Sequence, residues 1–315
     1  MSFKITGVGS YLPSKVVTND DLEKLLETNN EWIISRTGIS KRHIAADNEF
    51  TSDLALKAAE EAIINSNINK AQIDLVICAT TTPDFTFPSL ATILCKKLGI
   101  ANIPAFDVQA VCAGFVYGIH IAESFMKCGL YKNILLVGAE KMSNLVDWQD
   151  RGTAILFGDG AGAVILSKDT NNFVDSFICA DGMMSDILAT DNGPGSFKSS
   201  GVIKMEGKQV FKHAVEKMPK AVDYLLEKNN LTSKDIDYLI CHQANLRIID
   251  NIQHHMEIDE DKVIKTVNFH ANCSAASIPL ALDYLYKQNK LQSGQLVAFS
   301  AIGAGLTWGS ALVRW

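Results

Sequence analysis

The sequence of 315 residues lacks any run of about 18 apolar residues, the length that a membrane-spanning helix needs. Its first ten residues are too short and too interrupted to form a secretory signal peptide. Basic residues are outnumbered, with 29 lysines and arginines against 35 aspartates and glutamates. The net charge of −6 argues against a general nucleic-acid binder, which is normally basic. We therefore expect a cytoplasmic protein with neither membrane nor nucleic-acid partners.

The sequence also lacks paired cysteines and has little proline. The seven cysteines are widely spaced and include no Cys-x-x-Cys pair, so we expect reduced thiols that mostly fill the core. No metal site is predicted. Only seven prolines are present, and the one turn-rich stretch, residues 190–196, predicts a surface loop.

Short apolar runs alternate with helical stretches throughout the sequence. Residues 74–79, 133–138 and 295–300 are apolar runs typical of buried strands, and the stretch 52–65 places Leu54 and several alanines on one helix face. This alternation predicts an α/β fold whose sheets are covered on both faces.

The sequence contains an internal echo. Residues 73–78 recur as 236–241, and the run 134–137 corresponds to 297–300 at the same sequence offset. A repeat of this length predicts two copies of one α/β unit, with a boundary near residue 170. Chance similarity between buried strands is the alternative.

Cys112 lies between a strand-like run, residues 103–108, and a small-residue helix that begins at residue 113. Its small neighbours leave the sulfur uncovered, so we expect it to be exposed to substrate. A helix N-terminus stabilises a thiolate and lowers the pKa of the thiol. The alternative for any single cysteine is an inert buried thiol.

His242 and Asn272 each follow a strand-like segment farther along the sequence. A Cys, a His and an Asn together are the groups needed for covalent acyl chemistry. A core histidine and a simple helix N-cap are the alternatives for the two residues. His270 is interpreted as a structural neighbour of Asn272. Neither the Cys nor the His motif brings a carboxylate.

Two glycine-rich stretches have different interpretations. Residues 158–163 lack the Gly-Lys-Ser/Thr ending of a phosphate loop and lead into an apolar strand, which indicates close backbone packing. Residues 302–306 form a bare turn between two strands. That turn is either a tight hairpin or a source of N–H donors to an oxyanion.

Together these pieces resemble the β-ketoacyl-acyl-carrier-protein synthase III family, the initiating condensing enzymes of bacterial fatty-acid synthesis in the thiolase superfamily. The resemblance implies a duplicated, five-layered αβαβα fold with an N-terminal half (1–170) that carries the Cys and a C-terminal half (171–315) that carries the His and Asn. The matching stretches run in order along the sequence: 31–33, 36–39, 87–89, 110–115, 150–153, 157–164, 242–247, 270–279 and 303–314.

The resemblance also implies a reaction. Cys112 takes an acetyl or other short acyl group from coenzyme A, and His242 and Asn272 bind the thioester carbonyl of malonyl-acyl carrier protein and promote its decarboxylation. The resulting enolate attacks the acyl group, with the N–H groups of Cys112 and Gly305 as the oxyanion hole. The products are acetoacetyl-acyl carrier protein, CO2 and CoA, and the CoA thioester is a substrate, so no cofactor is implied.

Binding residues follow from the same resemblance. Trp32 and Arg151 would stack on the adenine of CoA, Arg36 would meet a phosphate, and Asn245 would contact the pantetheine arm. Phe87 and Phe157 would line the acyl pocket, and Phe87 would cross a homodimer interface to do so. The acidic carrier protein would dock on Lys208, Lys212 and Arg247. The alternative for these three residues is that they are ordinary solvated charges on helices.

The sequence departs from the family pattern at a few positions. Ala271 and Cys273 stand where relatives commonly carry Gly and Thr, and Ala304 replaces a common Gly in the last turn. His254 and His255 occupy a helix segment that often carries lysine, which leaves the strength of carrier docking open.

Other families share parts of this pattern. A degradative thiolase needs a second Cys near residues 302–305, and chain-elongating synthases carry a His in place of Asn272; the sequence has neither. Initiators of quinolone or polyketide synthesis share the Cys, His and Asn and stay open. A papain-like protease needs a Cys-Gly-Ser/Ala-Cys-Trp motif, which is missing. A non-catalytic acyl-binding relative would most simply have lost one of the three residues.

Overall fold

The computed structural model describes residues 2–169, 173–196 and 201–315. The strands are β1 (Ser2–Tyr11), β2 (Lys15–Thr18), β3 (Lys41–Ile44), β4 (Leu75–Ala79), β5 (Ala105–Val108), β6 (Asn133–Lys141), β7 (Asp159–Asp169), β8 (Phe173–Ala180), β9 (Leu188–Thr190), β10 (Ile203–Met205), β11 (Tyr238–Cys241), β12 (Leu296–Gly303) and β13 (Thr307–Arg314). The helices are α1 (Asn19–Glu23), α2 (Asn30–Thr37), α3 (Thr51–Ser66), α4 (Leu90–Leu98), α5 (Gly114–Lys127), α6 (Arg151–Ala154), α7 (Gly207–Lys228), α8 (Leu246–His255), α9 (Val267–His270) and α10 (Ser277–Lys287).

Two larger sheets share one strand order. The first runs β1-β7-β6-β4-β5 and the second runs β8-β13-β12-β11. In the first sheet β4 is parallel to β5 and β6, while β7 is antiparallel to both of its neighbours. In the second sheet β11 and β12 are parallel, and β13 is antiparallel to β12 and β8. Short two-stranded sheets join β2 to β3 and β9 to β10.

Helices α5 and α10 lie between the two sheets. Leu75 and Ile77 of β4, and Phe299 of β12, point into the core that surrounds these helices. Alternate residues point outward, so Val76 packs with α3 and α4, and Leu239 packs with α7 and α8. Because both faces of each sheet are buried, the strands are apolar along their whole length. The order of layers is αβαβα, which confirms the predicted fold class.

The repeated segments occupy equivalent strands with the same register. Leu75 pairs with Ile134 across β4 and β6, and Tyr238 pairs with Val297 across β11 and β12. Each residue of the second pair follows its counterpart in the first by the offset of the echo. The two halves of the echo therefore build the same parallel pair of strands.

The aspartates of the echo accept equivalent backbone hydrogen bonds in the two sheets. The Asp74 carboxylate accepts a hydrogen bond from the N–H of Asn133 at 3.0 Å, and the Asp237 carboxylate accepts one from Leu296 at 2.8 Å. Each carboxylate satisfies the first N–H of the neighbouring strand. An acidic residue before each repeated strand is thus explained by strand pairing.

A 3-10 turn precedes each central helix. Val111–Ala113 leads into α5 and Ser274–Ala276 leads into α10, and the offset of the echo relates these two turns as well. Both turns begin at a residue with positive φ, 48° at Val111 and 47° at Ser274. This region is rarely adopted by non-glycine residues and is least favourable for a β-branched valine. The chain stores local strain at both sites, and one of them immediately precedes Cys112.

Each turn packs against the central strand of the other sheet. A Cβ added at Gly303 of β12 would lie 2.6 Å from the Ala110 carbonyl oxygen and 2.9 Å from the Cys112 nitrogen. A Cβ added at Gly138 of β6 would lie 2.4 Å from the Ala275 carbonyl oxygen. Glycine is required at both points because the backbones approach too closely for any side chain.

Some element boundaries differ from the sequence prediction. The strand predicted at 103–108 comprises only Ala105–Val108, and the one predicted at 133–138 extends to Lys141. Thr190 ends β9, and residues 191–196 form no helix or strand. Among the helices described, none combines the length and the apolar character needed to cross a bilayer.

Candidate active site

Cys112 lies in the 3-10 turn Val111–Ala113 at the N-terminal end of α5. Two expectations about it are wrong. The residue is only 6% exposed, because the turn is enclosed by the surrounding strands and turns. Burial also raises the pKa of its thiol to about 12, although the Ser274 side chain and the residue's own N–H act in the opposite direction. The cost of burying the thiolate outweighs the effect of the helix end.

His242 follows β11 directly and is buried, as expected for a side chain at the carboxyl edge of a sheet. Its N–H donates to the Ser300 carbonyl at 2.7 Å, which fixes the backbone. Its Nδ1 is 2.7 Å from the Ser277 hydroxyl, so Nε2 is the ring nitrogen left for a ligand. Burial lowers the pKa of His242 to about 3, and the ring is therefore neutral near pH 7.

Asn272 lies between α9 and the turn Ser274–Ala276. Its N–H donates to the Leu156 carbonyl at 2.9 Å, and its carbonyl accepts from the Gly158 N–H at 3.1 Å. Its side-chain Oδ1 accepts a hydrogen bond from the Ser274 N–H at 2.9 Å. The amide oxygen is thus used locally, as in an Asx turn, and the NH2 group is the part available to a ligand.

One short segment therefore orients both polar residues. The Ser274 backbone holds the Asn272 amide, and the Ser277 hydroxyl holds the His242 ring. The same segment lies against the first sheet, where Cβ atoms of Ala79 and Ala275 approach Gly114. Gly114 starts the helix after Cys112, so the structure brings the Cys, His and Asn segments to one place.

The turn between β12 and β13 borders this place. The Thr307 hydroxyl donates to the Ala110 carbonyl at 2.9 Å, which ties the turn to the segment just before Cys112. Gly305, at the centre of the turn, has a φ of 128° that favours glycine. The turn is therefore a hairpin. It also lies beside the Cys112 segment, which is the position that an oxyanion donor requires.

A carboxyl group that the sequence reasoning missed lies at the same site. Glu140, near the end of β6, is fully buried. Its Oε2 accepts hydrogen bonds from the Thr82 hydroxyl at 2.6 Å, the Thr81 N–H at 3.1 Å and the Thr80 hydroxyl at 3.3 Å. Burial raises its pKa, and its charge in turn raises the pKa of Cys112. The site is therefore not free of carboxylates.

Trp32 and Arg151 form a contact at the protein surface. The Arg151 guanidinium lies over the Trp32 ring, 4.6 Å from its centroid, and donates to the Glu27 carbonyl at 2.9 Å. Asn29 caps α2 by accepting from the Trp32 N–H. The exposed arginine and half-buried indole offer a flat, positively charged surface suited to stacking.

Arg36 and Asn245 lie on neighbouring helix ends. Arg36 is exposed in the last turn of α2, and Gly38, which caps that helix, packs so closely on Leu246 that an added Cβ would lie 2.4 Å from the leucine Cβ. Asn245 caps α8 by accepting from the Ile248 N–H at 3.0 Å. Its amide NH2 is the part left for a ligand.

The two predicted acyl-pocket residues differ in environment. Phe157 is buried, pairs with Asn272 through the backbone and packs against Met142 and Ile203. Phe87 is 84% exposed on the loop between β4 and α4, near the exposed Phe85. Within one chain Phe87 therefore covers no pocket.

The three predicted docking residues share one surface. Lys208 and Lys212 are exposed on α7. Arg247, exposed on α8, places its guanidinium 5.5 Å from the ring centroid of Phe211, which lies between the two lysines along α7. The structure thus places Arg247 against the helix that carries the two lysines.

The departures from the family pattern have visible effects. Ala271 has φ 60° and ψ −164°, a conformation that favours glycine. The Cys273 thiol is buried and contacts the His270 carbonyl at 3.2 Å. His270 is itself buried, and its pKa is lowered to about 3 mainly by burial. Among the other cysteines, Cys128 is exposed and does not fill the core.

Sequence reasoning missed Glu140, Ser274 and Ser277. A signal for Glu140 existed, since a carboxylate two residues after the apolar run 133–138 must either face solvent or be buried with partners. The two serines gave no signal beyond their place near Asn272. Within the described ranges, no three His, Cys, Asp or Glu side chains are grouped to hold a metal ion.

Family models match two parts of the chain. A model described as 3-Oxoacyl-[acyl-carrier-protein (ACP)] synthase III matches residues 106–182, which include the Cys112 segment. A model for the C-terminal part of the same synthases matches residues 226–315, which include the His and Asn segments. The two matches together cover more than half of the sequence.

Whole-chain comparisons agree with the models. The chain is 56% identical over 317 residues to the "Beta-ketoacyl-[acyl-carrier-protein] synthase III" of Rickettsia bellii, with 100% of both chains covered. It is similar in structure to 3-oxoacyl-[acyl-carrier-protein] synthase III from Aquifex aeolicus, with a TM-score of 0.95 and 42% identity over 99% of this chain and 100% of that one. The corresponding structure from Pseudomonas aeruginosa gives a TM-score of 0.94 and 37% identity, with 100% of this chain and 98% of that chain covered.

Proposed function

This chain belongs to the β-ketoacyl-[acyl-carrier-protein] synthase III family, and we propose on that basis that Cys112, His242 and Asn272 carry out the two stages of its condensation. The enzyme is an acyltransferase that initiates fatty-acid synthesis. It condenses acetyl-CoA, or another short acyl-CoA, with malonyl-acyl carrier protein and yields acetoacetyl-acyl carrier protein, CO2 and CoA.

The observation that carries the proposal is the segment 272–277. It orients the Asn272 amide through the Ser274 N–H and the His242 ring through the Ser277 hydroxyl, beside the turn that holds Cys112. Such preorganised donors act without reorganisation when negative charge develops. A hydrolytic nucleophile would need a base poised to activate water, whereas these two groups are held as donors.

In the first stage Cys112 Sγ attacks the thioester carbonyl of the acyl-CoA, and the bond from that carbon to the CoA sulfur breaks. The backbone N–H groups of Cys112 and Gly305 stabilise the oxyanion of the tetrahedral intermediate. The close approach of Gly303 to the Cys112 nitrogen supports this role for the neighbouring turn. One such donor contributes about 3–4 kcal/mol to transition-state stabilisation.

In the second stage the malonyl thioester loses CO2, and negative charge grows on its carbonyl oxygen. Nε2–H of His242 and the NH2 group of Asn272 donate to that oxygen. We assign the proton to Nε2 because Ser277 Oγ already accepts from the Gln243 N–H at 3.3 Å, which leaves its own hydrogen to donate to Nδ1. The enolate then attacks the acyl group on Cys112, and the cysteine leaves as the thiolate.

The catalytic roles are tested by separating the two stages. Labelled acetyl-CoA should acylate Cys112, and Cys112→Ser should lose the label. His242→Ala should lower malonyl decarboxylation by about 100- to 1,000-fold while acyl transfer is largely kept. Unchanged labelling of Cys112→Ser would sink the nucleophile assignment, and loss of acyl transfer alone in His242→Ala would reverse the roles.

CoA binds, in this proposal, on the surface formed by Trp32, Arg151, Arg36 and Asn245. The contact between the Arg151 guanidinium and the Trp32 ring supports a stacking site for adenine. Trp32→Ala and Arg151→Ala should each raise KM for acetyl-CoA with little change in kcat. An unaltered KM in both variants, measured with saturating malonyl carrier protein, would place adenine elsewhere.

The carrier protein docks on Lys208, Lys212 and Arg247. Clustering of these exposed cations on α7 and α8 supports a surface for an acidic partner. Charge reversal at Lys212 and Arg247 should raise KM for malonyl carrier protein and leave acyl transfer from CoA unchanged. Reversal of Lys168, an exposed charge on β7, is the matched control, and equal effects in both variants would reject the patch.

The remaining parts of the proposal concern organisation. The protein consists of two halves, residues 1–170 and 171–315, a boundary that falls outside the described residues. It is a cytoplasmic homodimer in which Phe87 and Phe157 line the acyl pocket. A reducing compartment suits an enzyme whose nucleophile must stay a thiol. No bound cofactor is required, because decarboxylation itself generates the carbon nucleophile.

A further inference from the structure

Glu140 faces the turn that follows Asn272. Residues two apart on a strand lie on the same face, so Glu140 shares the face of Gly138. Gly138 makes the close approach to the Ala275 carbonyl described above. The carboxyl group therefore points toward the turn Ser274–Ala276, at the carboxyl edge of β6. There it is fixed by the three threonines 80–82, which all donate to Oε2, while Oε1 accepts only a shared hydrogen bond from the Thr81 hydroxyl.

Ser274 connects this carboxyl to the nucleophile. Its hydroxyl is fully buried and makes no hydrogen bond of ordinary geometry among the described residues. Its turn, Ser274–Ala276, packs both on β6, which carries Glu140, and on the turn Val111–Ala113, which carries Cys112. The Ser274 side chain also acts to lower the pKa of both groups. A buried hydroxyl without a structural partner is costly to keep, which marks it as a group with another role.

The other charged groups nearby do not neutralise Glu140. Lys141, the next residue, turns away and donates to the carbonyls of Ala46 and Glu49 at 2.8 and 2.9 Å. The Cys273 thiol and the Asp159 carboxyl complete the set, and neither supplies a positive charge. None of these groups therefore places a positive charge against Glu140, which is buried beside the Cys112 thiol.

This pairing bears on how Cys112 loses its proton. Direct ionisation would place a second negative charge in a buried site beside the first, which is strongly unfavourable. Moving the thiol proton to the carboxylate keeps the number of charges at one. His242 is the weaker acceptor, because burial holds its pKa near 3 and its Nδ1 is engaged by Ser277.

We propose that Glu140, acting through the Ser274 hydroxyl, accepts the Cys112 proton during acyl transfer. The thiol gives its proton to Ser274 Oγ while that hydroxyl gives its own to the Glu140 carboxylate. Cys112 Sγ then bonds to the acyl carbon as the bond from that carbon to the CoA sulfur breaks. The proton returns by the same route to the CoA thiolate, so each turnover leaves Glu140 ionised.

The proposal deepens the proposed function and rests on Cys112 as the acyl acceptor. Its test is the pH profile of the first turnover, followed by quenched flow and mass spectrometry with acetyl-CoA as the only substrate. An internal proton transfer within a coupled pair does not change the number of protons bound, so wild type should show a rate that is independent of pH across roughly pH 6 to 9. Glu140→Gln should be slower by about 100-fold or more at pH 7, and its rate should rise about tenfold per pH unit.

Ser274→Ala should show the same slope with the carboxyl still present. Its hydroxyl makes no structural hydrogen bond among the described residues, so this variant should fold even if Glu140→Gln does not. Glu123→Gln, which alters a buried carboxyl on α5 bonded to Ser176, is the matched control and should keep the flat profile.

Three results would overturn the relay. They are a wild-type rate that itself rises tenfold per pH unit, a flat profile kept in Ser274→Ala, or a faster Glu140→Gln, which would mean that the carboxylate only opposes thiolate formation. Peptide mapping separates this failure from failure of the proposed function, because acyl transfer to a residue other than Cys112 would reject both.

Discussion

At the scale of single residues, two buried histidines make stability depend on pH. His242 and His270 have pKa values lowered to about 3 by burial, whereas an unfolded histidine titrates near 6.5. Below about pH 6.5 the unfolded chain binds protons that the folded chain does not, so the free energy of unfolding falls with pH down to about 3. We expect each histidine to cost about 2 kcal/mol between pH 7.5 and 5.

Urea denaturation at several pH values measures this effect. His270→Phe removes one titrating group while keeping an aromatic ring, so the pH dependence should become shallower by the share of one histidine. His254→Gln, at an exposed position, should leave the slope unchanged. An identical slope in His270→Phe and wild type would show that His270 titrates normally in the folded protein.

Ala271 carries backbone strain next to Asn272. Its φ of 60° and ψ of −164° lie in a region that costs a non-glycine residue about 1–3 kcal/mol. Glycine at this position adds about 0.5–1 kcal/mol of chain entropy to the unfolded state. Ala271→Gly should therefore be stabilising by about 1 kcal/mol, as measured by chemical denaturation, and a clear loss of stability would contradict the strain.

Single residues were also where the sequence predicted least. Cys112, His242 and Asn272 could be selected because each follows a strand-like run. The pKa of Cys112 could not be predicted from the sequence. A helix end argues for a lower pKa, whereas the cost of burial depends on the packed structure. Glu140 and Ser274 lie in different halves of the sequence, and nothing local joins them.

At the scale of elements, the two 3-10 turns depend on glycines in the opposite sheet. Gly303→Ala places a Cβ 2.6 Å from the Ala110 carbonyl oxygen and should displace the Cys112 turn. Overpacking of this kind costs about 1–3 kcal/mol of stability, and the rate of acyl transfer should fall at least tenfold.

Two further glycine variants serve as a comparison and a control for Gly303→Ala. Gly138→Ala crowds the equivalent turn after Asn272, so it should destabilise by a similar amount and affect decarboxylation more than acyl transfer. Gly182→Ala meets nothing within 4 Å and should be neutral. If all three variants denature at the same urea concentration as wild type, the turns are not fixed by these contacts.

The strands and their order were more accessible to sequence reasoning. Apolar runs without alternation indicate strands buried on both faces, and the internal echo predicts that β4 and β6 have counterparts. The strained turns at Val111 and Ser274 had no such signal, because neither residue type favours positive φ. The strain exists only because packing on the opposite sheet imposes it.

At the scale of the whole molecule, the proposed homodimer makes a prediction about the exposed surface. Phe87 is 84% and Phe85 is 59% exposed on one loop, and β5 is an edge strand of the first sheet. Phe85→Ser combined with Phe87→Ser should shift the protein from dimer to monomer in sedimentation experiments. Leu130→Ser, at another exposed apolar position, should remain dimeric, and a dimer that survives the double change would place the interface elsewhere.

The two turns also show what a single chain makes possible. Cys112 and Ala275 each stand second in their turn and so occupy equivalent positions in a scaffold that otherwise repeats itself. In an assembly of two identical subunits, a thiol at one position would force a thiol at the other. Joined in one polypeptide, the copies are free to diverge, so in the proposed mechanism one turn bears the acyl group while the other aligns the groups that prepare its attacker. The proposed division of catalytic roles therefore depends on the two copies having different sequences within one chain.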